Sequence, residues 1–328
     1  MKAMIVNPET KALEWKDVPD PVCLEDSIIV DIHCAALNRA DLLQRDGKYP
    51  SPKGWPSWMG LELSGVVVEM GEKAQKNSSF KIGDKVCALV GGGAYAERIA
   101  VPYQLVMHMP KGLSFEEASA IPEAYATSYL NLFYEGHLKK GDVCYIAAGA
   151  SGLASAAIPL AKAAGATVVT SVMNEEIAAK IAHLGSDYVI VQTKESIPEA
   201  FERLEKAGTP VKVVMDCLSG GDLGKAMPFM AEGGYWVVIS TLAGIETKIM
   251  LRPLLTKGLH LVGSMLRKRS VDEKQVILSN LQKDTWKYFE NGAIKVNIYK
   301  TFPIDEVEEA HQVLLQNKNV GKVVLRIK

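Results

Sequence analysis

From Gly141 onward the chain alternates between two kinds of segment. Short β-branched runs fall at Val143–Ile146, Thr167–Val172, Tyr188–Val191, Val211–Met215, Tyr235–Ile239 and His260–Val262, and Ala- and Leu-rich stretches lie between them around 153–164, 175–184, 197–207, 222–231 and 249–257. Strands that are apolar on both faces need cover on both sides, and the intervening segments have the length and composition of helices. The fold class that satisfies both is α/β: a doubly wound parallel sheet with right-handed helical crossovers on each face.

The preceding residues read differently. Short alternating strands at Ser27–Ile32, Gly65–Glu69 and Lys85–Leu89 are punctuated by Gly71, Gly83-Asp84 and Gly91-Gly92-Gly93, the pattern of a β-rich domain with tight turns. After the parallel sheet, 272–291 reads as an amphipathic helix ending at Asn291-Gly292, and Gly321–Ile327 returns to strand character. That tail is expected to rejoin the first domain and make it discontinuous. A length of 328 residues suits two domains, with 1–124 and 266–328 forming the β-rich one and 125–265 the α/β one.

Composition removes several function classes. With 37 Lys+Arg against 38 Asp+Glu the net charge is −1, so no positive field gathers nucleic acid. Five cysteines stand far apart without any C-x-x-C, which argues against a disulfide framework and a thiolate zinc lobe and suits a reducing, cytoplasmic setting. The N-terminal apolar run breaks too early for a signal-peptide core. Val143–Ala161 is uncharged, but Gly149, Ser151, Gly152 and Pro159 make it a strand, a turn and a helix instead of a membrane span.

The strongest chemical motif is Tyr145-Ile146-Ala147-Ala148-Gly149-Ala150-Ser151-Gly152-Leu153-Ala154, a buried strand passing through small residues into a helix. Small side chains let the backbone approach a pyrophosphate, and the first N–H groups of the helix face its charge. Gly149 fills the first place of a G-x-G-x-x-G pattern, Ser151 the second and Ala154 the third. Opening the first unit of a six-strand alternation, this turn reads as a dinucleotide site.

Across nearly its whole length the sequence resembles the zinc-free medium-chain dehydrogenase/reductases of the NAD(P)H:quinone oxidoreductase, zeta-crystallin-like branch. The resemblance is carried by Leu37-Asn38-Arg39-Ala40-Asp41, Gly47-Lys48-Tyr49-Pro50, Gly60-Leu61-Glu62-Leu63-Ser64-Gly65, Ile121-Pro122-Glu123-Ala124, the Gly149 turn, Leu266-Arg267 and Asn317-Lys318-Asn319-Val320-Gly321-Lys322. It implies a nicotinamide cofactor held between a Rossmann domain and a GroES-like catalytic domain, a small-molecule acceptor and a homodimer. Zinc-dependent cousins need thiolate or imidazole where this chain has Asn38 and Leu61, so no zinc is expected.

The resemblance also nominates site residues. Cofactor contacts are expected from Thr127, Gly149, Ala150, Ser151, Gly152, Leu153, Asn174, Gln192, Ser240, Thr241, Leu266, Arg267, Asn319 and Lys322. Tyr49, as a phenol donor, and Asn38, as an amide orienting a carbonyl oxygen, are the catalytic candidates. Asp41 reads as structural, and Trp55 and Trp58 as either packing or the lining of a substrate mouth.

Cofactor choice turns on the second strand of the sheet. An acid at its end would favour the free 2′-hydroxyl of NAD(H), and Val169–Val172 stands there instead, about 20 residues past Gly149. The basic residue that relatives place shortly after it is missing from Ser171–Ile177, and Gln192 replaces their usual tyrosine. Glu175 and Glu176 fit the first turn of a helix capped by Asn174, yet would repel a 2′-phosphate. The resemblance implies NADP(H), with NAD(H) a close alternative. The reading is hydride transfer from NAD(P)H to a quinone or an α,β-unsaturated carbonyl. Its rivals are an enoyl-thioester reductase on the same fold and a non-enzymatic NAD(P)H-binding protein of crystallin-like or RNA-binding kind.

Overall fold

A computed structural model describes residues 1–328. Its strands in chain order are β1 (Lys2–Val6), β2 (Leu13–Asp17), β3 (Ser27–Ala36), β4 (Glu62–Met70), β5 (Lys85–Leu89), β6 (Arg98–Pro102), β7 (Val106–His108), β8 (Val143–Ile146), β9 (Thr167–Val172), β10 (Tyr188–Val191), β11 (Val213–Asp216), β12 (Tyr235–Val238), β13 (His260–Gly263), β14 (Ile298–Pro303) and β15 (Lys322–Arg326). The chain divides into two compact units, one made of Met1–Ala126 with Arg267–Lys328 and the other of Thr127–Leu266.

In the second unit β8 to β13 form one sheet of order β10-β9-β8-β11-β12-β13, parallel throughout. The α/β expectation is met, and its cause is visible in β8 and β11, whose residues are all buried and so need helices on both faces. The order reverses between β8 and β11, and ligands of such sheets bind outside the strand carboxyl ends at that point. An aromatic core of Tyr145, Phe201 and Trp236 packs beside the sheet. Pro228 ends the helix of the fourth crossover at Ala226 and turns the next residues into a 3₁₀ turn, because proline has no N–H for an α-helical bond.

The first unit is built on β14-β15-β3-β4-β5-β7, with β6 also paired to β3 and a separate β1–β2 ribbon. The strand read as Ser27–Ile32 continues to Ala36 because its far half has a partner of its own, β15, in antiparallel register Val324↔Ala36. The C-terminal tail thus rejoins the first β-rich segment, as its strand character suggested. No helix is long and apolar enough to cross a membrane.

Candidate active site

Residues 147–153 join β8 to the helix Ala154–Ala163. The turn begins with Ala148 at φ 55, a left-handed conformation that costs an L-residue about 1–2 kcal/mol and is held here by its surroundings. Gly149 donates its N–H to Ser171 O at 2.8 Å, and a Cβ at Gly149 would lie 2.6 Å from Thr170 Oγ1, so only glycine lets the turn press onto β9. Ser151 donates its N–H to Ala148 O, and its hydroxyl oxygen accepts Ala154 N–H at 3.0 Å. The N–H groups of Ala150, Gly152 and Leu153 donate to no protein acceptor. All three residues are half-buried, and Ala147 N–H donates to Met215 O of β11, which puts this open cradle at the switch point. Such donors fit a pyrophosphate.

The neighbouring strand ends are closed where the turn is open. Asp216, buried at the end of β11, accepts Leu218 and Ser219 N–H at 2.8 and 2.9 Å and Trp236 Nε1–H at 2.8 Å. Ser219, at φ 58, donates its hydroxyl to Ser240 O at 2.9 Å, which fixes Ser240 just past β12 and leaves Thr241 exposed. Thr127 is half-buried, with its carbonyl accepting Asn131 Nδ2–H at 2.7 Å before a π-helical stretch, Leu130–Glu135. Leu266 is buried and ends the unit.

At the far side of the same sheet edge, Asn174 caps the helix Glu175–Ile181 by accepting Ile177 N–H at 3.0 Å. Gln192 donates its backbone N–H to Val172 O at 2.9 Å, continuing β10 beside β9. Neither glutamate is unaccompanied. Glu176 pairs with Lys180 at 2.6 Å one turn along the helix, and Glu175 pairs with Lys194, which arrives from the turn after β10. A basic side chain thus reaches Glu175 from the turn after β10, and no short-range pattern could have revealed it.

In the first unit the candidates fall into two groups, at either end of the helix Arg39–Arg45. Asn38 stands at its amino end. Its Nδ2 donates to Glu62 Oε1 at 3.0 Å, and its Oδ1 accepts Lys322 Nζ at 2.8 Å. Lys322 also donates to Leu37 O at 2.8 Å and lies 2.6 Å from Glu62 Oε1, with side-chain exposures of 4% for Lys322 and 0% for Glu62. An ammonium has three donors, and those of Lys322 meet Leu37 O, Asn38 Oδ1 and Glu62 Oε1. Asn38 is likewise engaged on both sides of its carboxamide. Beneath them Asp41 accepts Asn38 and Gly60 N–H and the Tyr95 hydroxyl. Burial pushes its carboxyl up to about 6 against the pull of those N–H groups.

At the other end, Gln44 Oε1 accepts Arg267 Nη2 at 2.7 Å. The Arg267 guanidinium also donates to Gly91 O and Tyr49 O, is buried, and stacks 4.4 Å from the Tyr49 ring centroid. Arg267 therefore ties the helix Arg39–Arg45 to the loops that carry Tyr49 and Gly91. Tyr49 remains half-buried, and burial raises its phenol above the ordinary value, so it stays a protonated donor at neutral pH. The indole of Trp55 covers Gly91, and Trp58 Nε1 donates to Gly93 O at 3.0 Å, so both tryptophans pack on the Gly91–Gly93 segment. Asn319 donates Nδ2–H to Gly321 O at 2.8 Å and shapes the turn before β15. Leu61 is buried, no three His, Cys, Asp or Glu side chains gather as a metal site, and all five cysteines are free.

A parallel sheet of this order with open amides at its switch point defines a dinucleotide-binding α/β enzyme. Residues 25–111 match the family described as alcohol dehydrogenase GroES-like domain, and 152–282 match zinc-binding dehydrogenase. The chain is 30% identical over 331 residues to a quinone oxidoreductase-like protein 2 homolog of Nematostella vectensis, covering 97% of this chain and 89% of the relative. It is 28% identical over 354 residues to an acryloyl-coenzyme A reductase of Sulfurisphaera tokodaii, covering 99% and 100%. The quinone oxidoreductase of Thermus thermophilus, whose complex with NADPH is also solved, superposes with a TM-score of 0.81 at 27% identity over the full length of both chains. The chain belongs to the medium-chain dehydrogenase/reductase superfamily, in its quinone oxidoreductase branch, and is an NAD(P)H oxidoreductase.

Proposed function

We propose that this enzyme reduces a quinone or an α,β-unsaturated carbonyl compound, uses NADPH ahead of NADH, and does so without zinc. The observation that carries the reading is the filling of the polar centre in the first unit. The Lys322 ammonium occupies the acceptors of Asn38, Glu62 and Leu37 where a metal would need free anionic or imidazole donors. A bound reduced nicotinamide would supply the hydride, and the protein's part is alignment and exclusion of water. The amides of Ala150, Gly152 and Leu153 would hold the pyrophosphate. Tyr49, a protonated phenol backed by Arg267, would donate to the acceptor oxygen as negative charge develops on it.

A homodimer is proposed on the open edge of the parallel sheet. Strand β13 lacks an outer neighbour, and the stretch around it exposes Leu242, Ile245, Leu251, Leu255 and Leu261, apolar side chains that a second copy would cover. The decisive assay follows NAD(P)H oxidation with 1,2-naphthoquinone, with crotonyl-CoA and with no acceptor. Rapid turnover of the quinone, unchanged by chelators, is the expected result. Preferential turnover of crotonyl-CoA would favour the enoyl-thioester reading that the acryloyl-coenzyme A reductase relative suggests.

A further inference from the structure

The ion pair between Glu175 and Lys194 lies beyond the ladder that already joins β9 and β10. Val191 stands opposite Val172, Gln192 N–H donates to Val172 O, and Thr193 N–H donates to Met173 O at 3.2 Å. Lys194 then turns back, its N–H on Val191 O at 2.8 Å, and sends its ammonium across to Glu175 at the start of the next helix. Both side chains are well exposed, 62% for Lys194 and 68% for Glu175, so the pair is a weak surface contact that can open at little cost. What distinguishes it is its place at the carboxyl tips of the second and third strands of the dinucleotide sheet, where the adenosine ribose of a bound cofactor lies. Lys180, by contrast, is paired to Glu176 along the outer face of one helix and does not come from a strand tip.

We propose that Glu175 and Lys194 together set the cofactor selectivity of this enzyme: Lys194 takes the 2′-phosphate of NADPH, and Glu175 accepts the ribose 2′-hydroxyl of NADH. The two ligands compete with the resident pair in opposite ways. A phosphate replaces the carboxylate as the partner of the ammonium, and Glu175, still close by, then repels it. A hydroxyl leaves the ion pair intact and donates to the carboxylate. One pair of residues thus admits both cofactors and limits the preference for either. The proposal rests on the nicotinamide reading above and adds to it the residues that read the 2′ position.

The test is direct titration of NADPH and of NADH, by nucleotide fluorescence, into wild type, Lys194→Met, Glu175→Gln and Lys180→Met. Displacement by adenosine 2′,5′-bisphosphate against 5′-AMP serves as a readout independent of turnover. Lys194→Met is expected to weaken NADPH by about tenfold and leave NADH within about twofold, since one charged hydrogen-bond donor is lost to one ligand only. Glu175→Gln should tighten NADPH and weaken NADH by a few-fold, and Lys180→Met should match wild type for both. Added salt should weaken NADPH more than NADH in wild type, and that difference should shrink in Lys194→Met. Equal changes for the two nucleotides in Lys194→Met, or none, would overturn the assignment while leaving the nicotinamide reading in place. Wild type binding NADH alone would overturn it as well, and wild type binding neither nucleotide would overturn both.

Discussion

The turn at 147–153 and the polar centre around Lys322 are both rich in hydrogen-bonding groups, and they differ in what those groups have left to offer. At the turn, three backbone N–H groups have no protein acceptor. At the polar centre, Lys322, Glu62, Asn38 and Asp41 satisfy one another and the adjacent backbone. A density of polar residues therefore does not locate a ligand. Unmet donors at a sheet's switch point do, whereas a closed ionic cluster in a buried place fixes the packing of distant segments.

The largest effect is expected where the closed cluster is opened. Lys322→Met leaves the Glu62 carboxylate buried without its counter-ion and should cost about 3–5 kcal/mol in urea unfolding. Adding Glu62→Gln should restore much of that, and a single variant losing under about 1 kcal/mol would show that the pair is not buried in solution. At the open turn the opposite is expected. Gly152→Asp sets a carboxylate among the free amides and should weaken NAD(P)H roughly 100-fold, about 2.7 kcal/mol, with unfolding unchanged. Retained cofactor affinity would move the pyrophosphate elsewhere.

A third variant probes the edge of the closed region. His311 is fully buried beside Tyr95 with both ring nitrogens unpartnered, and burial drives its pKa from 6.5 down to about 4. The unfolded chain takes up the proton first as pH falls, so the stability tied to the neutral ring is whole above pH 6.5 and is lost toward pH 4. Asp41 works the other way. Its pKa is raised from 3.8 to about 6, so its contribution is present at low pH and lost as pH rises to 6. Between pH 4 and 6 the two offset each other. His311→Phe should gain about 1–3 kcal/mol at pH 7 and turn that flat window into one where stability falls as pH rises, measured by urea unfolding across the range. A pH profile parallel to wild type would remove His311 from the balance.

The smallest effect is expected at Tyr49. Tyr49→Phe keeps the ring over Arg267 and loses only the donor, so kcat should fall a few-fold with cofactor affinity constant. Tyr49→Ala is the poorer probe, because it also uncovers the Arg267 guanidinium. Wild-type kcat in the Phe variant would remove the phenol from the reaction.

Local patterns carried much of the fold. Val143–Ile146, Thr167–Val172 and Tyr188–Val191 form strands over those same residues, since a short apolar run between turns has few alternatives. The run read as Val211–Met215 pairs as Val213–Asp216, because the ladder partner and not the side-chain pattern decides where a strand begins. The site was less legible. The Gly149 turn is contiguous and could be read, and Asn174 could be placed as a cap. Lys194 on Glu175, Arg267 on Gln44 and Lys322 on Asn38 are separated by 19, 223 and 284 residues, and no periodicity links positions so far apart. Asn38, Arg267 and Lys322, all nominated by the resemblance, have side-chain donors engaged within the first unit.

The seating of β15 beside β3 has a consequence for how the chain is made. Residues 27–31 of β3 find β6 early in synthesis, but Cys34–Ala36 have no neighbour on that side until β15 emerges almost 300 residues later. At ordinary translation rates that interval is roughly 15–60 s. Through it the nascent β-rich segment carries an open edge and a Glu62 without its ammonium, while Thr127–Leu266 has already left the ribosome as one continuous stretch able to fold first. The unit begun by Met1–Ala126 is thus closed by a strand translated after the whole of Thr127–Leu266.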